Sequence, residues 1–280
     1  MTWAGARSPD RIAAVGVLAV RPLPYRSDQA PLGLEAIPGL VVRALGQDET
    51  PIWHPSTGIY GFLRLPPGPI RLEIEDPARR WVPLAARAQV PDRSAIRDLL
   101  GRGVTPAPGS TGPLVLELGM RPGPEQALPP GSTALWGQIR ESADSRPVAG
   151  ALLGLDTVLH GAADRVQTLS GPDGTYLLAL PGELPDRSHN PPVRRFPRDL
   201  WVASPLPALA AALRGPGGFV AGLPADLYGL TQAERAPLFR SRGFRLRLAD
   251  GRVLSPAGGQ NPQATVSIGE RVRWDIELLP

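Results

Sequence analysis

The chain has no cysteine, which excludes disulfide frameworks and thiolate chemistry and leaves the redox compartment open. Lysine is also missing: all 30 basic residues are arginine. A GC-rich genome produces that bias through its arginine codons. Interfaces favour the same residue, because the planar guanidinium is weakly hydrated and pairs bidentately. Nor is there a long apolar run. The stretch 12–20 is broken by Gly16 and bounded by Arg11 and Arg21, well short of the ~18 residues of a membrane span. Charge of one sign is scarce as well. The net charge of +4 is too small to point to nucleic acid as the main partner. Residues 1–10 show no charged-then-apolar leader, so the expected location is the cytoplasm or a particle assembled there.

Proline and glycine are abundant, at 35 and 32 of 280 residues. Between them lie short blocks with period-two alternation. Ile70, Leu72 and Ile74 alternate with Arg71, Glu73 and Glu75. Leu114, Leu116 and Leu118 alternate with Val115 and Glu117. Phe244, Leu246 and Leu248 alternate with Arg245 and Arg247, and Val272, Trp274, Ile276 and Leu278 with Arg271, Arg273, Asp275 and Glu277. Successive strand side chains point to opposite faces, so each block predicts a strand with one core face and one wet face. Many turns joining many short strands account for the proline and glycine content. Few helices are expected. Ser94 can cap 95–100. Ser204 can cap a second helix with Pro205 at its first position and Gly215 past its end. Thr231 and Glu234 form a capping box limited by Pro237.

The chain repeats itself. Ser56-Thr57-Gly58-Ile59-Tyr60-Gly61-Phe62-Leu63-Arg64-Leu65-Pro66 matches Pro172-Asp173-Gly174-Thr175-Tyr176-Leu177-Leu178-Ala179-Leu180-Pro181. Trp81-Val82 then matches Trp201-Val202, and Leu116-Glu117-Leu118 matches Ile276-Glu277-Leu278. From tyrosine to closing strand is 58 residues in the first copy and 102 in the second, an excess of about 44 that falls mostly between Gly182 and Gly243. Arg121-Pro122-Gly123-Pro124 through Pro129-Pro130-Gly131 reads as a semi-rigid boundary. The expected organisation is a first sandwich over 1–120, a linker over 121–132, and a second sandwich over 133–280 with a long insert at about 182–243. In fold class this is all-β, two antiparallel Ig-like or transthyretin-like sandwiches with a few short loop helices. Asp173-Gly174 is expected to supply the positive φ of a tight hairpin turn, and Leu65-Pro66-Pro67-Gly68 to end one strand and redirect the chain.

A glycine turn, an aromatic residue, alternating apolar residues and then Leu-Pro-Pro-Gly resembles the carboxypeptidase regulatory-like domain. In the second copy the likeness begins at Trp136-Gly137-Gln138-Ile139 and runs through Arg146-Pro147-Val148-Ala149-Gly150-Ala151 to Asp173-Gly174-Thr175-Tyr176. In the first it covers 39–88, with a weaker opening strand near 15–20. The resemblance implies a transthyretin-like β-sandwich and says little of function, because such domains are appended to many proteins as binding or spacer modules.

No catalytic site is legible. His54, His160 and His189 are followed three residues on by Thr57, Ala163 and Pro192, so the His-x-x-Glu zinc pair of catalytic carboxypeptidases is missing. The chain ends Glu277-Leu278-Leu279-Pro280 rather than in the Tyr-Arg-Gly-Ser of transthyretin-like hydroxyisourate hydrolases. No Gly-x-Ser-x-Gly elbow is present. Asp186 to His189 holds the residue types of a triad in a proline-rich loop, a poor support for catalysis. Gly215, Gly217 and Gly218 follow a helix instead of opening one, so they form no phosphate loop. No cofactor or metal is expected. Trp81, Trp136, Trp201 and Trp274 read as core residues. Trp3 and Trp53 lie in less regular segments, where exposed rings would serve sugars or partners.

The excess residues are the best functional candidate, because long loops on a rigid sandwich commonly carry binding. Arg194, Arg195, Phe196 and Arg198, with Leu223, Leu227, Tyr228 and Phe239, have the composition of an interface core. The expected partner-binding residues are Arg194, Arg195, Phe196, Arg198 and Tyr228, facing another chain. The expected function is a non-enzymatic structural or adaptor subunit of a larger assembly, such as a phage-tail-like or contractile injection particle. The alternative is a carbohydrate-binding or surface-adhesion module, which would show a row of exposed aromatics on one sheet face.

Overall fold

The computed structural model describes residues 16–24, 36–92, 115–159, 162–180, 195–257 and 262–280. The predicted helix at 95–100, together with Trp3, His160, Asp186, His189 and Arg194, lies outside them. The first half contains β1 (Gly16–Pro24), β2 (Val41–Ala44), β3 (Ile52–His54), β4 (Ile59–Leu65), β5 (Gly68–Glu75), β6 (Leu84–Val90) and β7 (Val115–Met120). They make a four-stranded sheet in the order β3-β4-β1-β7 and a three-stranded sheet in the order β2-β5-β6. Val20, Phe62, Leu65, Leu72 and Ile74 fill the space between, all fully buried. Each such side chain contributes roughly 1.5–3 kcal/mol.

The second half contains β8 (Ala134–Glu141), β9 (Leu152–Leu159), β10 (Ala162–Leu169), β11 (Thr175–Ala179), β12 (Arg195–Pro205), β13 (Phe239–Ser241), β14 (Phe244–Leu248), β15 (Val253–Leu254), β16 (Gln263–Ser267) and β17 (Arg271–Leu278). One sheet runs β11-β8-β17-β14-β15. The other runs β10-β9-β12-β13, with β16 also paired to β12. Ile139, Leu153, Tyr176, Phe244, Leu246, Trp274 and Ile276 form the core between them.

The architecture is all-β, sandwiches with few and short helices, as the alternation predicts. In both halves the tyrosine strand lies antiparallel to the opening strand, β4 on β1 and β11 on β8. In both, the closing strand lies parallel to that same opening strand, β7 on β1 and β17 on β8. Tyr60 and Tyr176 thus occupy corresponding strands. The tryptophan pair does not correspond. Trp201 lies on β12, which pairs β9 as β5 pairs β2. Trp81 comes after β5, in an isolated bridge to Pro122.

Local turn chemistry is realised with two changes. Gly174 has φ of 76° as expected, but its turn carries the chain from β10 in one sheet to β11 in the other and closes no hairpin. A Cβ there would meet the Ile139 carbonyl oxygen at 2.6 Å. The first helix of the insert, α1 (Pro207–Leu213), starts with Leu206 at its N-cap and Pro207 at its first position. Ser204 and Pro205 belong to β12 instead. Short α2 (Phe219–Gly222) and α3 (Gln232–Arg235) follow. At α3 the capping box forms: Thr231 N–H donates to Glu234 Oε2 at 2.8 Å and Glu234 N–H to Thr231 Oγ1 at 3.3 Å.

Two corrections follow from packing. The segment at 195–205 is no loop but a strand inside the second sheet, between β9 and β13 and paired along 195–199 with β16. Leu200 and Val202 face the sandwich core, while Trp201 and Ala203 pack into a separate apolar cluster. A strand covered on both faces loses its alternation, so it reads as part of an insert. The wet face expected of β5 is also partly covered. Glu73 is buried and accepts from Arg71 Nε at 3.3 Å.

Candidate interaction surfaces

The remainder of the insert, 206–238, packs back onto the first half. Leu209, Leu213, Val220, Leu223 and Leu227 join Leu152, Leu169 and Phe239 from the second sandwich and Val82 and Ala85 from the first in one buried cluster. Polar groups reinforce this joint. Arg71 Nη2 donates to the carbonyls of Val220, Ala221 and Leu223 at 3.2, 3.0 and 2.7 Å, closing the end of α2. Asp226 N–H donates to the Ala85 carbonyl at 2.9 Å, and Arg87 N–H donates to Asp226 Oδ1 at 3.2 Å. Arg79 Nη2 reaches Asp173 Oδ2 at 2.7 Å and Thr175 Oγ1 at 2.9 Å across the halves. Burial pushes the Asp173 carboxyl up, but the hydrogen bonds from Thr175 and Arg79 outweigh it and hold it below its ordinary value.

Tyr228 sits inside this joint. Its ring packs against both the first core and the joint cluster, and the Arg121 guanidinium stacks over it. Within this chain the Tyr228 ring therefore serves the joint between the halves. Leu227 and Phe239 likewise cover apolar surface of this chain. Arg195, Phe196 and Arg198 fall on β12, in register with Ser267, Val266 and Ala264 of β16. Arg194 lies outside the described residues.

Two buried tyrosines anchor the sandwiches. Tyr60 accepts from Leu40 N–H at 3.1 Å and donates to the Ile37 carbonyl at 3.2 Å. Tyr176 donates to the Trp274 carbonyl at 2.7 Å. Burial raises the pKa of both, with Asp275 adding to the rise at Tyr176. The Tyr176 contact seals a gap in the β8–β17 ladder, whose register jumps from Arg273↔Trp136 to Ile276↔Ile139. Within the gap Gln138 N–H donates to Asp275 Oδ1 at 3.1 Å. The backbones approach so closely there that a Cβ on Gly137 would lie 2.1 Å from the Trp274 carbonyl oxygen.

Of the histidines, His54 is exposed at the β3–β4 turn, its Nδ1 3.0 Å from Thr57 Oγ1 and 3.3 Å from Ser56 Oγ. Among the described residues no group of three histidines or acids could hold a metal ion. The tryptophans divide differently from expectation. Trp274 and Trp81 are buried and Trp201 partly so, but Trp136 is 43% exposed on the outer sheet face, with Arg273 5.3 Å from its ring centre. Trp53 packs on Tyr60 with ring centres 4.6 Å apart. Among the described residues Trp136 is the exposed aromatic on its sheet, so no row of rings forms there.

Three of the hollows around the joint and the insert stand out. One of about 320 Å³ opens between the halves, lined by Asp76, Arg79, Trp81, Leu169, Asp173 and Phe219 among others. The others, of about 680 and 650 Å³, flank β13. Sequence reasoning missed both, because their walls come from segments far apart in the chain. No helix among the described residues is long and apolar enough to cross a membrane, which does not bear on strand-based spans.

No protein-family model and no curated protein matches the chain. Solved structures show a weak likeness. The Bacillus anthracis TIE protein is 12% identical at a TM-score of 0.25, over 95% of this chain and 34% of that one. BcpA, the major pilin subunit of Bacillus cereus, is 9% identical at 0.24, over 96% and 61%. GBS52, the minor pilin of Streptococcus agalactiae, is 10% identical at 0.22, over 94% and 95%. The chain therefore spans about a third of the first and three fifths of the second. At such TM-scores the likeness supports no statement about function.

Proposed function

We propose that this chain is a non-catalytic structural or adaptor subunit, in which two sandwiches of the carboxypeptidase regulatory-like type act as one rigid connector within a larger protein assembly. The observation that carries the reading is the joint. Its apolar cluster, the Arg71 clamp and the Arg121–Tyr228 stack hold the two sandwiches at one angle. Independently tumbling binding modules need no such joint, whereas a spacer that sets the distance between neighbours does. A phage-tail-like or contractile injection particle is the assembly we favour, put together in the cytoplasm. The test is native mass measured from the producing cell. A multi-subunit species is expected; a monomer throughout growth would overturn the reading. Carbohydrate binding is the weaker alternative, since the one broadly exposed ring among the described residues, Trp136, makes a poor platform for a sugar chain.

A further inference from the structure

Among the described residues the second sandwich ends in an open edge at β13. Arg242 N–H donates to the Val202 carbonyl at 3.1 Å and Leu206 N–H to the Leu238 carbonyl at 2.8 Å. Between them the register is Ala203↔Ser241, Ser204↔Arg240 and Pro205↔Phe239. In an antiparallel ladder the hydrogen-bonded pairs alternate. The backbone N–H and C=O of Phe239 and Ser241 therefore point away from β12, where the sheet order ends.

The two grooves beside this edge differ in chemistry. Alternate residues of a strand face opposite ways, and here Phe239 and Ser241 line one groove while Arg240 and Arg242 line the other. The first, about 680 Å³, has Leu152, Trp201, Ala203 and Leu230 on its walls beside the polar Thr231, Gln232 and Arg235, and Arg235 Nη1 donates to Gln167 Oε1 at 2.8 Å. The second, about 650 Å³, gathers Arg146, Arg214, Arg240 and Arg242 against a single acid, Glu141. Arg242 is held by Glu141 at 3.2 Å and by the Leu279 carbonyl at 2.8 Å, and Arg146 pairs with Asp144 at 2.6 Å. Arg214 and Arg240 are exposed, and neither has an ion pair among the described residues.

We propose that β13 and its two grooves receive an extended segment of a partner protein that alternates acidic and apolar residues. The segment adds as a strand to β13 through the groups of Phe239 and Ser241. Its acidic side chains meet Arg214 and Arg240, and its apolar ones enter the groove walled by Trp201. Charge complementarity selects the occupant, since Arg214 and Arg240, two guanidinium groups with no ion pair among the described residues, favour a carboxylate-bearing strand over a neutral or basic one.

The proposal rests on the reading of the chain as an assembly subunit, and its test is separate from native mass. Fluorescence anisotropy of the labelled peptide Glu-Val-Glu-Val-Glu-Val is measured against the full chain. Saturable binding is expected, at least tenfold weaker for the Lys-Val version and for the block peptide Glu-Glu-Glu-Val-Val-Val. Combining Arg214→Glu with Arg240→Glu should weaken binding at least tenfold and leave the thermal melt in place, because both residues are exposed. Ser241→Pro, which removes an edge-facing N–H and no bond to β12, should weaken it as well. No binding of the alternating peptide, equal binding of the block peptide, or an unchanged affinity in the double arginine variant would overturn the proposal. A multi-subunit native mass without peptide binding removes this site and leaves the assembly reading. Peptide binding by a chain that stays monomeric in its cell does the reverse.

Discussion

The guanidinium carbon of Arg121 lies 3.4 Å from the centre of the Tyr228 ring, which joins the residue after β7 to the middle of the insert. Arg121 is only 6% exposed. Its Nε donates to the Gln167 carbonyl at 3.0 Å, and its own carbonyl accepts from Val82 N–H at 2.9 Å. One residue thus ties the first sandwich, through its backbone, to β10 and the insert, through its side chain. A desolvated cation over an aromatic face is worth up to about 2 kcal/mol.

Arg121→Ala should therefore lower stability by about 1–3 kcal/mol in a denaturant titration, and small-angle scattering should show a wider spread of distances between the halves. Arg121→Lys should recover little, because an ammonium cannot reproduce the planar stack. A variant as stable and as compact as the parent would show that the apolar cluster alone fixes the joint.

The Arg79–Asp173 contact predicts a pH effect. The folded pKa of Asp173 lies below its ordinary value of 3.8. Its contribution is thus complete above that value and is lost as pH falls through the lower folded value. Both side chains are nearly half exposed, so the effect is small, under about 1 kcal/mol. The melting temperature of the parent should exceed that of Asp173→Asn by a constant margin well above the ordinary carboxylate value of 3.8, and the margin should shrink as pH falls below it. A margin that grows on acidification would contradict the assignment.

At the ladder gap, Tyr176→Phe leaves the Trp274 carbonyl buried without its donor. The expected cost is about 1–3 kcal/mol. Gly137→Ala should cost more, since the added methyl would overlap a backbone oxygen that cannot rotate away. Calorimetric melts of the two variants give the order directly, and a Gly137→Ala protein with parent stability would exclude the close approach.

Removing 190–200 should unfold the second sandwich. The deletion takes Arg195 to Leu200 out of β12, together with their pairing to β16 and the first contact with β9. Loss of a cooperative transition by circular dichroism is expected. Retention of both transitions would mean that the sandwich closes without this strand.

Much of the β framework is legible in single residues. Phe244, Leu246, Trp274 and Ile276 are buried where alternation places them, and Arg245, Arg247 and Arg273 lie in solvent-facing or half-covered positions. The tyrosine repeat marks corresponding strands in both halves. Of the candidate site, by contrast, little could be read. Tyr228 has the composition of an interface residue, and it does serve an interface, but one within the chain. Trp136 has the context of a core residue and lies in water.

Sequence alone determined the features that depend on neighbours along the chain. Strand faces follow from the pleat, the Gly174 turn from a backbone without a Cβ, and the Thr231 cap from a hydroxyl three residues before Glu234. Only the tertiary structure decided which face meets which. At 200–203 β12 shows no alternation because the sandwich covers it on one side and the joint cluster on the other. Glu73 is buried because the insert lies over β5. Arg146, Arg214, Arg240 and Arg242 share a groove because a turn, a helix end and an edge strand meet there. Burial by a distant segment leaves no periodic mark on the residues it covers, since the energy depends on area removed from water and not on spacing along the chain.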